Sequence, residues 1–226
     1  MKIIGIDTTT PFLCIGAYDN GAIYEYTLKT GTQLSALVTI SIERVLKALR
    51  WKMKDVDYFF CGIGPGSFTG IRVGVATIKG LSWASGKPVV EIPSLDALAM
   101  NTLESQMPVI PMIDAKRNLL YSSVYRYKKG VLVRTAPYRL SSLEDIAKEI
   151  KNEVIVLGDA VGIYREEIVR SIKGVVLLDK DHWRLKTVNL IAHALAQIQK
   201  KKIKDSFTIK PLYLYQKECQ IKQSNR

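Results

Sequence analysis

Histidine is nearly absent from this chain: His182 and His193 are the two in 226 residues. They stand in neither an HxxxH nor an HExxH pair, so no helix face offers the paired imidazoles that hold zinc or iron. That argues against a metallopeptidase, and no metal is expected. Cysteine is scarce too. Cys14, Cys61 and Cys219 form no CxxC pair, and an odd count gives no disulfide framework. Cys14 and Cys61 sit in apolar, strand-like runs and read as buried thiols, which fits a reducing cytoplasm. No run of about eighteen apolar residues occurs, which argues against a membrane span. Met1-Lys2 leads straight into strand-like Ile3-Ile4-Gly5-Ile6, so no signal peptide is expected.

What the chain has in excess is positive charge. Lysine and arginine number 33 against 21 acids, a net charge of +12. Half of that excess lies in the last 27 residues, where Lys200, Lys201, Lys202, Lys204, Lys210, Lys217, Lys222 and Arg226 face two acids, Asp205 and Glu218. Such a tail attracts polyanions, and it serves equally as a solvated terminus. Hydrophobic residues make up 47%, enough for a sizeable core.

The apolar pattern repeats loosely. Strand-like Lys2–Ile6 ends in Asp7, Thr8–Pro11 turns, and Phe12–Tyr18 and Ala22–Leu28 flank the hairpin signal Asp19-Asn20-Gly21. A helix over Gln33–Arg50, a strand over Val56–Cys61 and a helix over Ile71–Ala84 follow. Val89–Ile92 is a further strand and Ser94–Glu104 a connecting helix. The second half begins the same way: Val109–Ile113 ends in Asp114, Ala115–Asn118 turns, and Leu119–Tyr127 and Val131–Thr135 are strands. Ser141 with Glu144 reads as a capping box opening a helix to Lys151. Strands over Val154–Leu157 and Val175–Leu178 alternate with helices over Gly162–Ile172 and Val188–Lys201. Two βββαβα units, each with an Asp-ended first strand, predict an α/β fold of the actin/sugar-kinase/Hsp70 architecture. The expected units are residues 1–104 and 105–204, with about 205–226 packing back on the first.

Between strand and helix lies a glycine-rich turn, Gly64-Pro65-Gly66-Ser67-Phe68-Thr69-Gly70. No Walker Gly-Lys-Ser/Thr follows it, Ser67 stands where the dinucleotide fingerprint needs glycine, and the Ser67 context is not the GxSxG elbow. Ser67 and Thr69 are rival helix caps, and no catalytic residue is assigned. Asp7, Thr8 and Thr9 are candidates for a weak nucleotide site, because hydroxyls at a strand end can contact phosphate. A strand-end aspartate that satisfies its own turn is the competing reading. No cofactor is expected. The helix over Ile71–Ala84 is apolar or small on nearly every face, which predicts burial all round. Its row Ala76, Gly80, Ala84 would let another helix approach closely. The candidate contact surface comprises Arg72, Val75, Ala76, Lys79, Gly80, Trp83 and Ala84, with Leu37, Ser41 and Val45 from the preceding helix.

The whole stretch Gly64–Gly74, with Lys79-Gly80-Leu81 behind it, closely resembles the signature of the TsaB (YeaZ) family. Ile4-Gly5-Ile6-Asp7-Thr8-Thr9-Thr10, Ile113-Asp114-Ala115-Lys116-Arg117 with Tyr121, and Lys210-Pro211-Leu212-Tyr213-Leu214 resemble its other segments, so the likeness covers about residues 1–216. The resemblance implies the same fold and a role in making threonylcarbamoyladenosine in tRNA. It implies a non-catalytic scaffold and activator with a TsaD-like catalytic subunit and a TsaE-like ATPase as partners. It also implies a homodimer when the chain is alone, through its first two helices. Many such chains open the first helix with histidine. Here Thr32-Gln33-Leu34-Ser35 stands there, so no role of that histidine carries over. An ATP-dependent phosphotransferase of the same architecture is the alternative.

Overall fold

The computed structural model describes residues 1–215. Two sheets organise it. The first is β3-β2-β1-β4-β5, built from β1 (Lys2–Asp7), β2 (Phe12–Asp19), β3 (Ala22–Lys29), β4 (Tyr58–Gly64) and β5 (Val89–Pro93). Strands β1, β4 and β5 run parallel, while β2 and β3 are antiparallel additions. Central β1 is an unbroken apolar run because both of its faces are covered. Ile4 and Ile6 pack toward α1 (Leu34–Ala48) and α2 (Phe68–Ser85), and Ile3 packs toward the opposite face.

The second sheet is β10-β7-β6-β11-β12, with β8 and β9 attached beside β6. It comprises β6 (Val109–Asp114), β7 (Leu120–Ser122), β8 (Tyr125–Lys128), β9 (Val131–Arg134), β10 (Arg139–Ser141), β11 (Val154–Leu157) and β12 (Val175–Leu177). Helices α4 (Leu143–Glu149) and α5 (Ala160–Ser171) cover its outer face through Ile110, Met112, Ile146 and Ile168. Its inner face meets the first half through α3 (Ser94–Ala99) and α6 (Thr187–Gln199), in one core that also holds Ile3, Phe60, Leu95, Tyr125, Leu157 and Ile191. Strand β1 relates to its antiparallel neighbour β2 and its parallel neighbour β4 as β6 relates to β7 and β11. Asp7 and Asp114 therefore end equivalent strands of two actin/sugar-kinase/Hsp70-type units.

Several local expectations are corrected. The span Leu119–Tyr127 is two strands, because at Ser123-Val124 the chain turns from β7 to pair with Ala136 and Thr135 instead. Strand β10 was not expected. Helix α4 is capped by Ser142, whose Oγ accepts from the Asp145 amide at 3.1 Å, not by Ser141. The helix expected over Ser94–Glu104 stops at Ala99. Helix α6, late in the chain, lies on the first sheet. Gly16 of β2 makes room for it, since an added Cβ would sit 2.6 Å from Thr187 Cγ2 and 3.0 Å from Ile191 Cδ1. After α6, Lys204 bridges Val89 by two 2.8 Å backbone hydrogen bonds, Ile209 enters the α1/α2 core, and the Leu212 amide donates to Ile63 O. The tail residues Lys217, Glu218, Cys219, Lys222 and Arg226 lie outside the described residues.

Candidate functional site

The sheet order decides what meets Asp7. Strand β4 lies between β1 and β5, so Gly62 of β4 and Ser94, just after β5, reach the Asp7–Thr9 end of β1. Asp7 is 0% exposed. Its Oδ1 accepts from the Thr9 amide and the Thr9 hydroxyl, both at 2.8 Å, and Ser94 Oγ donates to Thr9 Oγ1 at 2.9 Å. Its Oδ2 has no hydrogen-bond partner among the described residues and points at Gly62, where an added Cβ would overlap it. Burial pushes the carboxyl up to about 6, against the opposing pull of the Thr9 and Ser94 hydrogen bonds. No sequence spacing announces Ser94 or Gly62. They are found through strand adjacency.

The glycine-rich turn closes over this end. The Ser67 amide donates to Thr9 O at 2.7 Å, and Thr8 Oγ1 donates to Gly70 O at 2.7 Å. Gly66 and Gly70 press on the Thr9 and Thr8 carbonyls, with no space for a Cβ. Gly64 takes φ +104°, a conformation that suits glycine, and Pro65 follows through a cis bond. Ser67 is the N-cap of α2, its Oγ accepting from the Gly70 amide at 3.2 Å, and Thr69 lies inside the helix. Asp7, Thr8 and Thr9 are thus brought together, buried, with Gly70 and half-buried Gly66, while Ser67 stays exposed at the edge of the cluster. Hydroxyls, peptide groups and the Asp7 carboxylate make its hydrogen bonds.

The equivalent end at Asp114 is built differently. Its carboxylate takes the Lys116 amide at 2.9 Å and the Lys116 ammonium at 2.5 Å, and Tyr164 OH approaches at 3.4 Å. The Asp114 amide donates to Asp159 Oδ1. The two histidines are far from both ends in role. His182 Nδ1 pairs with Asp179 at 2.6 Å, and His193 is half-buried beside Gln197, its pKa lowered by burial. Among the described residues, no three His, Cys, Asp or Glu side chains cluster as metal ligands.

Helix α2 departs from the expected all-round burial. Ile71, Gly74, Val75, Ile78 and Ser82 face the sheet, but Arg72, Ala76, Gly80 and Ala84 form an exposed row, with Trp83 70% exposed beside them. Among the described residues, nothing lies within 4 Å of a Cβ added at Gly80. The small residues Ala76, Gly80 and Ala84, expected as a row for close helix approach, lie on the outer surface of α2. Arg72 lies over the Phe68 ring and donates to Tyr213 OH at 3.2 Å, which fixes one end of the row. Leu37, Val45 and Lys79 are half-buried at its margin. Val75 and Ser41 do not belong to this surface. Val75 is 4% exposed and packs in the α1/α2 core, and Ser41 is 1% exposed, its hydroxyl without a partner. No described helix is long and apolar enough to cross a membrane.

Comparison with known proteins agrees with this geometry. The family model described as TsaD, tRNA N6-adenosine threonylcarbamoyltransferase, matches residues 29–219. The tRNA threonylcarbamoyladenosine biosynthesis protein TsaB of Bacillus subtilis is 29% identical over 182 residues, 78% of this chain and 80% of that protein. The TsaB protein of Haemophilus influenzae is 31% identical over 134 residues, 57% of this chain and 56% of its own. The solved structure of YeaZ from Pseudomonas aeruginosa shares the fold with a TM-score of 0.81 at 19% identity, covering 94% of this chain and 99% of that one. A second Pseudomonas aeruginosa structure, of an uncharacterized protein with similarity to peptidase YEAZ, gives 0.83 at 20% identity, covering 95% and 99%. The chain belongs to the threonylcarbamoyltransferase family that this model describes and, within it, to the TsaB (YeaZ) group.

Proposed function

We propose that this chain is a non-catalytic, cytoplasmic subunit of the machinery that forms threonylcarbamoyladenosine in tRNA. It scaffolds and activates a TsaD-like catalytic subunit that works with a TsaE-like ATPase. The group moves from threonylcarbamoyl-adenylate to the adenosine 3′ of the anticodon. The observation that carries this reading is the exposed row Arg72, Ala76, Gly80, Ala84 on α2. Its small stretch Ala76, Gly80, Ala84 admits a partner helix at close range. The same surface would serve a homodimer when the chain is alone. The catalytic role falls to the partner, because this sequence has no HxxxH pair. The enclosure of Asp7, Thr8 and Thr9 by Gly66 and Gly70 supports a packing role for that cluster, and it weighs against an ATP-dependent phosphotransferase.

The test is incorporation of labelled threonine into tRNA by the reconstituted components. Omitting this chain should abolish turnover, and Gly80→Arg should do nearly the same while the variant keeps its melting temperature. A long charged side chain in a desolvated helix contact costs several kcal/mol. Full incorporation without the chain, or a folded Gly80→Arg variant that still assembles and supports turnover, contradicts the reading.

A further inference from the structure

Parallel strands begin on one edge of their sheet, and β6, β11 and β12 are parallel neighbours. The residues just before them, 106–108, 151–153 and 173–174, therefore line a single edge, the edge opposite Asp114. Hairpin β8–β9 stands beside it, because Tyr125 pairs with Val109 at the start of β6. Together these segments enclose an open groove of about 610 Å³. Three exposed cations converge on it, Arg126, Lys151 and Lys173, each from a different element. None of the three has an ion-pair partner among the described residues. One acid, Glu153, shares the groove, its stem resting against Gly174, so the local excess is two positive charges.

The charge does not stop at the groove. Side chains two apart on a strand share a face, so Lys128 continues the line that Arg126 begins, and both are exposed. A row of cations from three segments of the chain, without ion-pair partners among the described residues and open along its length, suits a chain of regularly spaced phosphates better than one small anion.

We propose that this edge of the second half binds the phosphate backbone of RNA. Resting on the tRNA-modifying role above, it is the surface by which the subunit itself touches tRNA. It lies on the half that carries neither α1 nor α2, so tRNA and the catalytic partner would occupy separate faces. The contacts are to backbone phosphates, so they position the RNA without reading its sequence.

The full-length chain and the triple variant Arg126→Gln, Lys151→Gln, Lys173→Gln should be compared for binding to end-labelled tRNA by fluorescence anisotropy across a salt series. Losing three phosphate contacts should make the slope of log K against log salt shallower by about 2 to 3, and should weaken binding about tenfold or more near 0.1 M salt. A charge-matched control, Lys29→Gln, Lys54→Gln, Lys180→Gln, should keep most of the slope. Thermal melts of both variants check the fold, and each single variant should lower the slope by about 1 if the triple variant melts early. Equal losses in the groove variant and the control would mean that bulk charge does the work, and would overturn the proposal. So would an unmoved slope, or a loss of binding to phosphatidylglycerol-containing vesicles with the tRNA slope intact. Incorporation unchanged when the chain is omitted refutes the scaffold reading instead, and the salt slope still decides the groove.

Discussion

Asp7→Asn should flatten the pH dependence of stability between about pH 4 and about pH 6. The carboxyl is fully buried, and its pKa is raised from 3.8 to about 6 by desolvation. That rise corresponds to roughly 3 kcal/mol. Because the folded-state value is the higher one, the native chain keeps a proton that the unfolded chain releases. The contribution to stability is full below the unfolded pKa and is lost as pH rises through about 6. Above that, the native state carries a charge with one oxygen unpartnered. Asparagine keeps the shape and accepts both Thr9 hydrogen bonds, but does not ionise. Its amide nitrogen replaces Oδ2 without a partner, at a cost of about 1–3 kcal/mol. The two effects nearly offset each other at neutral pH, so the slope, not the absolute stability, is the decisive readout. Urea unfolding followed by tryptophan fluorescence at several pH values gives the difference between the two proteins directly. Parallel curves for wild type and variant across this window would show that Asp7 ionises without penalty, and would refute the reasoning.

Three further outcomes follow from the packing. Gly70→Ala places a Cβ against the Thr8 carbonyl, which is backbone and cannot swing away; it should cost about 3 kcal/mol, read as an early thermal melt. The Cys14 thiol is pushed up to about 12 and the Cys61 thiol well above its usual range, both chiefly by burial. Neither should react with a thiol reagent at about pH 8 until urea is added, with mass spectrometry locating the labelled sites. Asn101→Ala removes donors to the His182 and Arg184 carbonyls and the acceptor of the Asn189 amide. It should cost about 2 kcal/mol in urea unfolding, because all three bonds are part-buried.

The strands of both central layers were legible because each is a short apolar run closed by a turn signal, and because Asp7 and Asp114 mark matching ends. What stayed hidden depended on neighbours distant in sequence. The break at Ser123-Val124 is invisible in composition, since the chain there merely changes partners. Two adjacent serines, Ser141 and Ser142, are equal as caps until the backbone chooses one. The row Ala76, Gly80, Ala84 was legible as a place for close helix approach, but the expected all-round burial of α2 failed because alanine and glycine give the same hydropathy signal whether they face a sheet or solvent. Arg72 and Lys79 were the available clue. Helix α6 carried no mark of the sheet it joins; Gly16, whose missing Cβ admits it, lies about 170 residues away. The basic edge went unread for the same reason: Arg126, Lys151 and Lys173 are scattered in sequence and meet through strand order.

The contrast between the two strand ends bears on how the helix surface is held. At Asp114 a lysine compensates the carboxylate locally, and the arrangement stays within its own turn. At Asp7 no cation among the described residues compensates the carboxylate, and the desolvated carboxyl orders Thr9 instead. Thr9 O then accepts from the amide of Ser67, the N-cap of α2, while Thr8 Oγ1 donates to the carbonyl of Gly70 in the helix's first turn. The aspartate is therefore linked to the position of α2 through two threonines rather than through any ligand. On the scaffold reading, that linkage gives the cluster its purpose: it sets the angle at which Arg72, Ala76, Gly80 and Ala84 are presented. Changes at Asp7 should then act weakly and through assembly, whereas Gly80→Arg acts at the contact itself. The effect on partner affinity should accordingly be graded, small for Asp7→Asn, larger for Gly70→Ala and complete for Gly80→Arg. Titration of each folded variant against the catalytic subunit reads that order, and an Asp7→Asn variant that binds normally yet loses turnover would place chemistry, not positioning, at this strand end.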